Sequence, residues 1–253
     1  MENENLRSVI VLCGGNSSRM GEDKGSMIIH EKPMILYILE TLNNQIDEAI
    51  LVLNNSERKD KYKNIIQNNF SKDFKNELSY DLVFIEDELK GKGPLSGVMT
   101  GLENISSNYA LVLPCDSPFI TYKFINFIFS CLERKIATSS HKKFSKTSRE
   151  EDLNFIDVIV PYHFKNKEII DDPTFKNKNS YFFNYESEKI KKFLWNNSEP
   201  LHSIYGKNNS KIIRKLLNSN VNNVKSLFNH VNTYFILVND DNSFKNINSK
   251  EDI

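Results

Sequence analysis

The chain has 253 residues, with 33 basic and 33 acidic side chains that leave its formal net charge at zero. This balance lacks the positive excess with which proteins track nucleic acids or bind anionic membranes, so neither is an expected partner. Three cysteines are too few for a disulfide framework or a tetrahedral zinc site. No apolar run approaches the roughly 20 residues that span a bilayer, and no signal-peptide pattern opens the sequence, so we expect a cytoplasmic protein.

The predicted elements alternate between strands and helices. Apolar runs predict strands at 8–12, 49–53, 82–85, 110–113, 157–160 and 234–238. Helical periodicity predicts helices at 33–43, 58–67, 94–104, 121–132 and 211–217. This order predicts an α/β fold, a doubly wound and mainly parallel sheet with a Rossmann-like nucleotide-binding half. We expect a single domain over 1–253 with a polar insert at about 138–199, in which 139–151 is a loop and 165–197 is a solvated segment without clear period.

The first strand runs directly into a glycine loop that carries two cations. Gly14 and Gly15 end the strand and leave backbone N–H groups free to face an anion. Arg19 and Lys24 follow at the spacing GGxxxRMGxDK, which differs from the dinucleotide fingerprint and from the loop of nucleotide hydrolases. The loop therefore indicates a site for nucleotide phosphates, although a polar surface loop is the alternative.

Two further motifs follow predicted strands. In LVLPCDSPFI, Asp116 stands at the carboxyl end of a strand, where open parallel sheets bind ligands. An Asp in this position can cap the next helix, but beside a phosphate loop it suits Mg²⁺, which is commonly held by a carboxylate and substrate phosphates. In EDELKGKGPLSGV, acidic residues precede a turn and a helix that begins near Pro94.

The cysteines and histidines are less informative. Cys13 and Cys115 end the first and fourth strands, which are neighbours in the Rossmann order 3-2-1-4, so both thiols should flank the site, unless they are only small buried residues. The five histidines show no metal-ligand spacing and no serine or cysteine triad, and surface or packing roles are expected for them.

Four motifs in order, LCGGNSSRMGEDK, EDELKGKGPLSGV, LPCDSPFI and FKNINSKEDI, resemble the molybdenum cofactor guanylyltransferase family, nucleotidyltransferases of Rossmann-like, glycosyltransferase-A-type fold. The resemblance implies that the guanine nucleotide is held by Leu12, Cys13, Gly14, Gly15, Lys24, Asn54 or Asn55, Asp87 and Asp116. It places Arg19 near the phosphates and Mg²⁺ on Asp116. It assigns Asn246 and Asn248 to the pterin-bearing acceptor, and it implies GTP, a molybdopterin-type cofactor and cofactor-biosynthesis proteins as partners.

The expected reaction is transfer of GMP from GTP to the terminal phosphate of a molybdenum or tungsten molybdopterin, with release of pyrophosphate. Arg19, Lys24 and Asp116 are the expected catalytic residues. A related nucleotidyltransferase that uses CTP or a sugar-phosphate acceptor would need the same phosphate chemistry and remains an alternative. A non-catalytic GTP-binding protein is a third reading, but nucleotide binding alone does not require a cation-ligating Asp116.

Overall fold

The computed structural model describes residues 6–14, 23–69, 78–141, 156–164, 180–182, 186–240 and 242–247. The expected site residues Gly15, Arg19 and Asn248 lie outside these ranges. The strands are β1 Ser8–Leu12, β2 Ile28–Ile29, β3 Lys32–Pro33, β4 Glu48–Leu53, β5 Asp81–Glu86, β6 Tyr109–Pro114, β7 Val158–Tyr162, β8 Ser180–Phe182, β9 Ile204–Gly206 and β10 Thr233–Leu237. The helices are α1 Met34–Leu42, α2 Ser56–Asn69, α3 Pro94–Asn104, α4 Tyr122–His141, α5 Glu188–Asn197 and α6 Asn209–Asn218. Short 3-10 helices form at Lys24–Ser26, Pro200–His202, Val224–Asn229 and Asn242–Phe244.

Eight strands form one sheet in the order β5-β4-β1-β6-β9-β7-β10-β8. Its first four strands pair in parallel, which confirms the Rossmann order that the sequence predicts. Strands β7 and β10 run in the same direction, whereas β9 and β8 pair antiparallel to their neighbours. The sheet is therefore mainly parallel in strand direction, with two reversed strands in its second half.

Helices cover both faces of the sheet, as a doubly wound fold requires. Alternate residues of β1 point to opposite faces, so Val9 and Val11 belong to the core cluster that includes α1, α2 and α4, while Ile10 and Leu12 belong to the cluster that includes α3, α5 and α6. Burial on both faces explains why the strand reads as a continuous apolar run rather than an alternating one.

Helix α3 packs unusually close to β1 because it carries two glycines four residues apart. A Cβ on Gly101 would lie 2.5 Å from Ile10 Cγ2, and one on Gly97 would lie 3.0 Å from Leu12 Cδ2. Both glycines face the sheet, since residues i and i+4 share a helix face. This close contact brings the N-terminus of α3 to the edge of the sheet where β1 ends.

Two predictions about the second half of the chain are wrong where the structure describes it; residues 142–155, 165–179 and 183–185 lie outside the described ranges. Helix α4 continues to His141, so the predicted loop at 139–151 begins in a helix. The stretch 165–197 contains α5, which is capped by Ser187 and buries Ile190, Phe193 and Leu194 at helical spacing. The stripe is short, because α5 has only ten residues, and it does not give the whole stretch 165–197 a period. Strand β8 also belongs to the main sheet.

Within the described residues, no helix has both the length and the apolar character to cross a bilayer.

Candidate active site

The candidate site lies at the edge of the sheet where β1, β4, β5 and β6 end. Backbone hydrogen bonds join Cys13 N to β4 at 2.9 Å, Cys115 N to β1 at 3.1 Å and Asp87 N to β4 at 2.7 Å, so the strands stop at one level. The next residues, among them Asn54 and Asp116, therefore emerge side by side. This is the edge at which parallel α/β sheets bind ligands.

A cavity of about 400 Å³ opens above β1 and β6, and it brings Lys24 and Asp116 together. The Lys24 ammonium donates to Asp116 Oδ2 at 2.8 Å, with side-chain exposures of 28% and 16%. Lys24 lies in the short helix 24–26, and Asp116 follows β6. Two residues remote in sequence thus place a cation and a carboxylate, both accessible, in one cavity.

A second cavity of about 650 Å³ opens above β4 and β5 and contains Asn54, Asn55 and Asp87. Leu12, Gly14 and Pro94 line both cavities, so the two adjoin at the end of β1 and the start of α3. Arg58 and Lys90 also line the second cavity; Lys90 lies within the motif EDELKGKGPLSGV but was assigned no role, and no motif marked Arg58. Together the cavities form a continuous cleft with charged groups at each end.

Asp87 is held rigidly in the second cavity. Its Oδ1 accepts hydrogen bonds from Leu89 N, Ser96 Oγ and Thr100 Oγ1. Oδ2 accepts none from the described part of the chain, and only 8% of the residue is exposed. The carboxylate therefore presents one oriented oxygen to a ligand.

The two asparagines that the sequence left as alternatives have different surroundings. Asn55 Oδ1 accepts from Arg58 N at 2.9 Å and caps the first turn of α2. Asn54 instead packs against the glycine loop, because a Cβ on Gly14 would lie 2.3 Å from Asn54 Oδ1. Both line the cavity, but the oxygen of Asn55 is already used to cap a helix.

The turn before α3 requires glycine. Gly93 has φ +77°, a left-handed conformation that residues with a Cβ rarely adopt, and Pro94 then occupies the first helical position. The positive end of the α3 dipole consequently faces the junction of the two cavities, where it favours an anion.

Both predicted thiols flank the first cavity, and both are also buried. Cys13 is 1% exposed and Cys115 is 7% exposed. Burial, reinforced by the neighbouring Cys115 thiol, raises the pKa of Cys13 well above its ordinary value. A thiol of raised pKa is a poor nucleophile, so Cys13 contributes shape to the cavity.

The C-terminal segment reaches the same cavity. Ile247 is fully buried, and its N–H donates to Asp116 O at 2.8 Å, while the exposed Asn246 lines the cavity beside Lys24. The expectation that Ile247 packs inward is confirmed, and Asn246 beside it is exposed. Asn248 lies outside the described residues.

His202 and Glu199 line the first cavity, and the sequence did not reveal either of them. His202 is 1% exposed, and burial lowers its pKa to about 4, so it is neutral near pH 7. His163 Nε2 lies 3.0 Å from Glu199 Oε1. The strongest clue in the sequence was PLHSIYG, in which His202 stands just before the short buried strand β9.

Comparison with known proteins identifies the family of the chain that carries this site. Residues 9–224 match the MobA-like NTP transferase domain. The chain belongs to this family. Its glycine loop, Asp87, Asp116 and His202 all fall within the matched range, while Asn246 lies beyond it.

Individual relatives support the same placement. The chain is 36% identical over 129 residues to the probable molybdenum cofactor guanylyltransferase of Methanothermobacter thermautotrophicus, and 32% identical over 127 residues to the molybdenum cofactor guanylyltransferase of Histophilus somni. These alignments cover 51% and 50% of this chain and 59% and 57% of the relatives. The chain thus spans somewhat more than half the length of the curated relatives it matches.

Solved structures share the fold over nearly the whole chain. Molybdopterin-guanine dinucleotide biosynthesis protein A from Archaeoglobus fulgidus superposes with a TM-score of 0.62 at 18% identity, covering 97% of this chain and 94% of that protein. 4-Diphosphocytidyl-2C-methyl-D-erythritol synthase from Anaerococcus prevotii superposes with a TM-score of 0.59 at 15% identity, covering 98% and 92%. At these identities the likeness concerns the fold alone.

Proposed function

We propose that the protein transfers GMP from GTP to the terminal phosphate of a molybdenum- or tungsten-bearing molybdopterin, with release of pyrophosphate. The observation that carries this proposal is the cleft itself, which has the Lys24–Asp116 pair at one end and the oriented Asp87 carboxylate at the other. The names of the relatives and the family match point to the same reaction.

The surroundings of Asp87 favour guanine as the base. Guanine carries two adjacent donors, its ring N–H and its exocyclic amino group, on the edge that a single carboxylate can accept. Asp87 Oδ2, which accepts no hydrogen bond from the described residues, can take one of these donors, while Oδ1 already accepts from Leu89, Ser96 and Thr100. Asn54, at the wall shared with the glycine loop, offers an amide to the same ligand.

The first cavity suits the phosphates and Mg²⁺. Asp116 Oδ1 accepts no hydrogen bond from the described residues, and a hard carboxylate oxygen that faces a phosphate cavity is the kind of ligand Mg²⁺ takes. Asp116 would hold the ion together with phosphate oxygens of the nucleotide. When bound, Mg²⁺ would neutralise part of the phosphate charge.

The reaction needs positioning more than acid–base chemistry. An oxygen of the acceptor phosphate, already anionic, forms a bond to the α-phosphorus of GTP, and the bond from that phosphorus to the bridging oxygen breaks. Pyrophosphate leaves with the electron pair. Lys24 would offset the repulsion between the two anions, and the α3 N-terminus would add positive potential. Arg19, outside the described residues, is proposed to act with Lys24.

The test is pyrophosphate release from GTP, Mg²⁺ and a molybdopterin acceptor, compared with each other NTP and with sugar phosphates. Lys24→Met and Asp116→Asn should each lower turnover at least tenfold, since a charge-assisted hydrogen bond contributes about 1.5–3 kcal/mol. Lys32→Met is the matched control, because Lys32 pairs with Glu40 away from the cleft.

The outcomes separate the readings. Turnover with CTP in place of GTP, or with a sugar phosphate in place of molybdopterin, would correct the substrate. GTP binding without turnover on any acceptor would make the protein a nucleotide-binding module and refute the proposal.

A further inference from the structure

A buried chain of hydrogen bonds links His202 to Asn246, an exposed residue that lines the first cavity. His202 Nε2 lies 3.0 Å from Ser117 Oγ, and Ser117 Oγ in turn donates to Asn246 Oδ1. His202 and Ser117 are each 1% exposed, whereas Asn246 lies at the surface of the cavity. No sequence motif joined these three residues, which are remote in the chain.

With the Asn246 amide oriented as the structure has it, the donors and acceptors fix the direction of the protons along this hydrogen-bond chain. The carbonyl oxygen of Asn246 can only accept, so the single Ser117 proton points at it. Ser117 Oγ must then accept from His202, which requires a proton on Nε2. In a neutral imidazole this leaves Nδ1 as a bare acceptor, and Nδ1 is indeed buried without a partner among the described residues. An N–H at that position would be an unsatisfied buried donor, which is rare in native proteins.

The ring of His202 is also held in place by packing. Phe244 and Phe124 meet it edge-to-face, with centroids 5.3 Å and 6.5 Å away. Phe244 lies two residues before Asn246, so His202 contacts the C-terminal segment through both the aromatic ring and the hydrogen-bond chain. Asp240 strengthens the same segment by accepting from Thr121 Oγ1 and Ser243 Oγ.

Several charged or titratable groups surround the imidazole. Asp116 follows β6, Glu199 follows α5 and His163 follows β7, and all three interact electrostatically with His202. Burial outweighs the two carboxylates and keeps the ring neutral near pH 7. The hydrogen bonds from His202 through Ser117 to Asn246 therefore join neutral, oriented polar groups rather than a charged group.

From this geometry we propose that His202 is a positioning residue for the acceptor: acting through Ser117, it holds the Asn246 amide with its oxygen turned inward and its NH₂ group facing the cavity. This inference rests on the proposed function, and it describes how the part of the cleft around Asn246, where the acceptor would bind, is held in shape. Two amide protons directed at the cavity suit a ligand rich in acceptor oxygens or ring nitrogens. The opposite tautomer of His202 would reverse the chain and present the amide oxygen instead.

The first experiment concerns the tautomer and does not depend on any activity. A ¹⁵N spectrum of the protein labelled at histidine distinguishes protonated from unprotonated ring nitrogens, and His202→Gln identifies the signal by its loss. We expect the proton on Nε2. A proton on Nδ1 would overturn the proposal.

The second experiment separates acceptor binding from nucleotide binding. His202→Leu and Ser117→Ala should each raise the acceptor KM about two- to tenfold, the range for one neutral hydrogen bond, with the GTP Kd unchanged within about twofold. His202→Gln, which keeps an N–H donor, should restore most of the loss. His163→Leu is the matched control, because its ring also packs on Phe244, at 5.1 Å, but has no bond to Ser117.

Each outcome has a definite meaning. Unchanged acceptor KM in both variants overturns the positioning role, as does an equal loss in GTP affinity, which would indicate general damage. If His202→Leu fails to fold, Ser117→Ala and His202→Gln still decide the matter. Absence of turnover in the unmodified protein would refute the proposed function and this role together, whereas turnover with indifferent variants would refute this role alone.

Discussion

Gly14→Ala should weaken nucleotide binding while leaving the fold intact. The backbone at Gly14 is outside the left-handed region, so alanine adds no strain there. Its Cβ would nevertheless lie 2.3 Å from Asn54 Oδ1, whereas ordinary contacts begin at 3.4 Å. The Asn54 amide must therefore move by about 1 Å, which is enough to break a hydrogen bond.

The expected magnitude follows from that single displaced amide. One neutral hydrogen bond contributes about 0.5–1.5 kcal/mol, so the GTP Kd should rise about two- to tenfold. Calorimetry measures the Kd, and thermal unfolding should show an unchanged midpoint. Asn54→Ala should produce a similar loss, and adding Gly14→Ala to it should cost less than about twofold more. Full additivity of the two substitutions, or wild-type GTP affinity in Gly14→Ala, would refute the reasoning.

Three further outcomes are expected. Gly101→Ala should lower the free energy of unfolding by about 1 kcal/mol in urea titrations, because overpacking against β1 exceeds the gain in helix propensity; a more stable variant would contradict this. Burial lowers the pKa of His202 to about 4 in the folded protein, whereas a histidine in the unfolded chain has a pKa of about 6.5. As the pH falls, the unfolded chain therefore binds a proton at His202 before the folded protein does. The free energy of unfolding, highest above pH ~6.5, should therefore fall by about 2 kcal/mol between pH 7.5 and 5, and this loss should be absent in His202→Gln. Equal pH dependence of the free energy of unfolding in both proteins would contradict the prediction. GTP with Mg²⁺ should slow alkylation of the buried Cys13 and Cys115 but not of the half-buried Cys131, as read by mass spectrometry, and equal protection of all three would count against the site.

Strands β1, β4 and β6 were predictable because nearly all of their residues are buried on both faces of the sheet. Runs such as Val9 to Leu12 carry the pattern of a parallel interior strand, and Gly93 and Pro94 mark the start of α3. Helix α5 was missed because its apolar stripe of Ile190, Phe193 and Leu194 lies in a helix of only ten residues, too short to give 165–197 as a whole a clear period. Sequence periodicity reports a face only when the opposite face is uniformly polar and the stripe is long enough to repeat.

The candidate site divides in the same way. Asp87 and Asp116 could be predicted to lie at the sheet edge because each comes just after a strand, and Lys24 because it ends a glycine-loop motif of restricted spacing. His202 could not, since its neighbours Ser117 and Asn246 lie 85 and 44 positions away, and only the folded chain brings them together. A single histidine with no partner residues nearby in the sequence forms no motif, so its role cannot be recognised from the sequence.

The meeting of the two cavities at Leu12, Gly14 and Pro94 separates two tasks that a nucleotidyltransferase must perform. Under the proposed function, the base would be recognised at the ends of β4 and β5, while the phosphates would be held at the ends of β1 and β6. A lineage can therefore change its preferred nucleotide by altering the outer strands without rebuilding the reacting centre. The same arrangement means that an inhibitor confined to the outer cavity would select for the base, whereas one confined to the inner cavity would mimic only the shared phosphate chemistry.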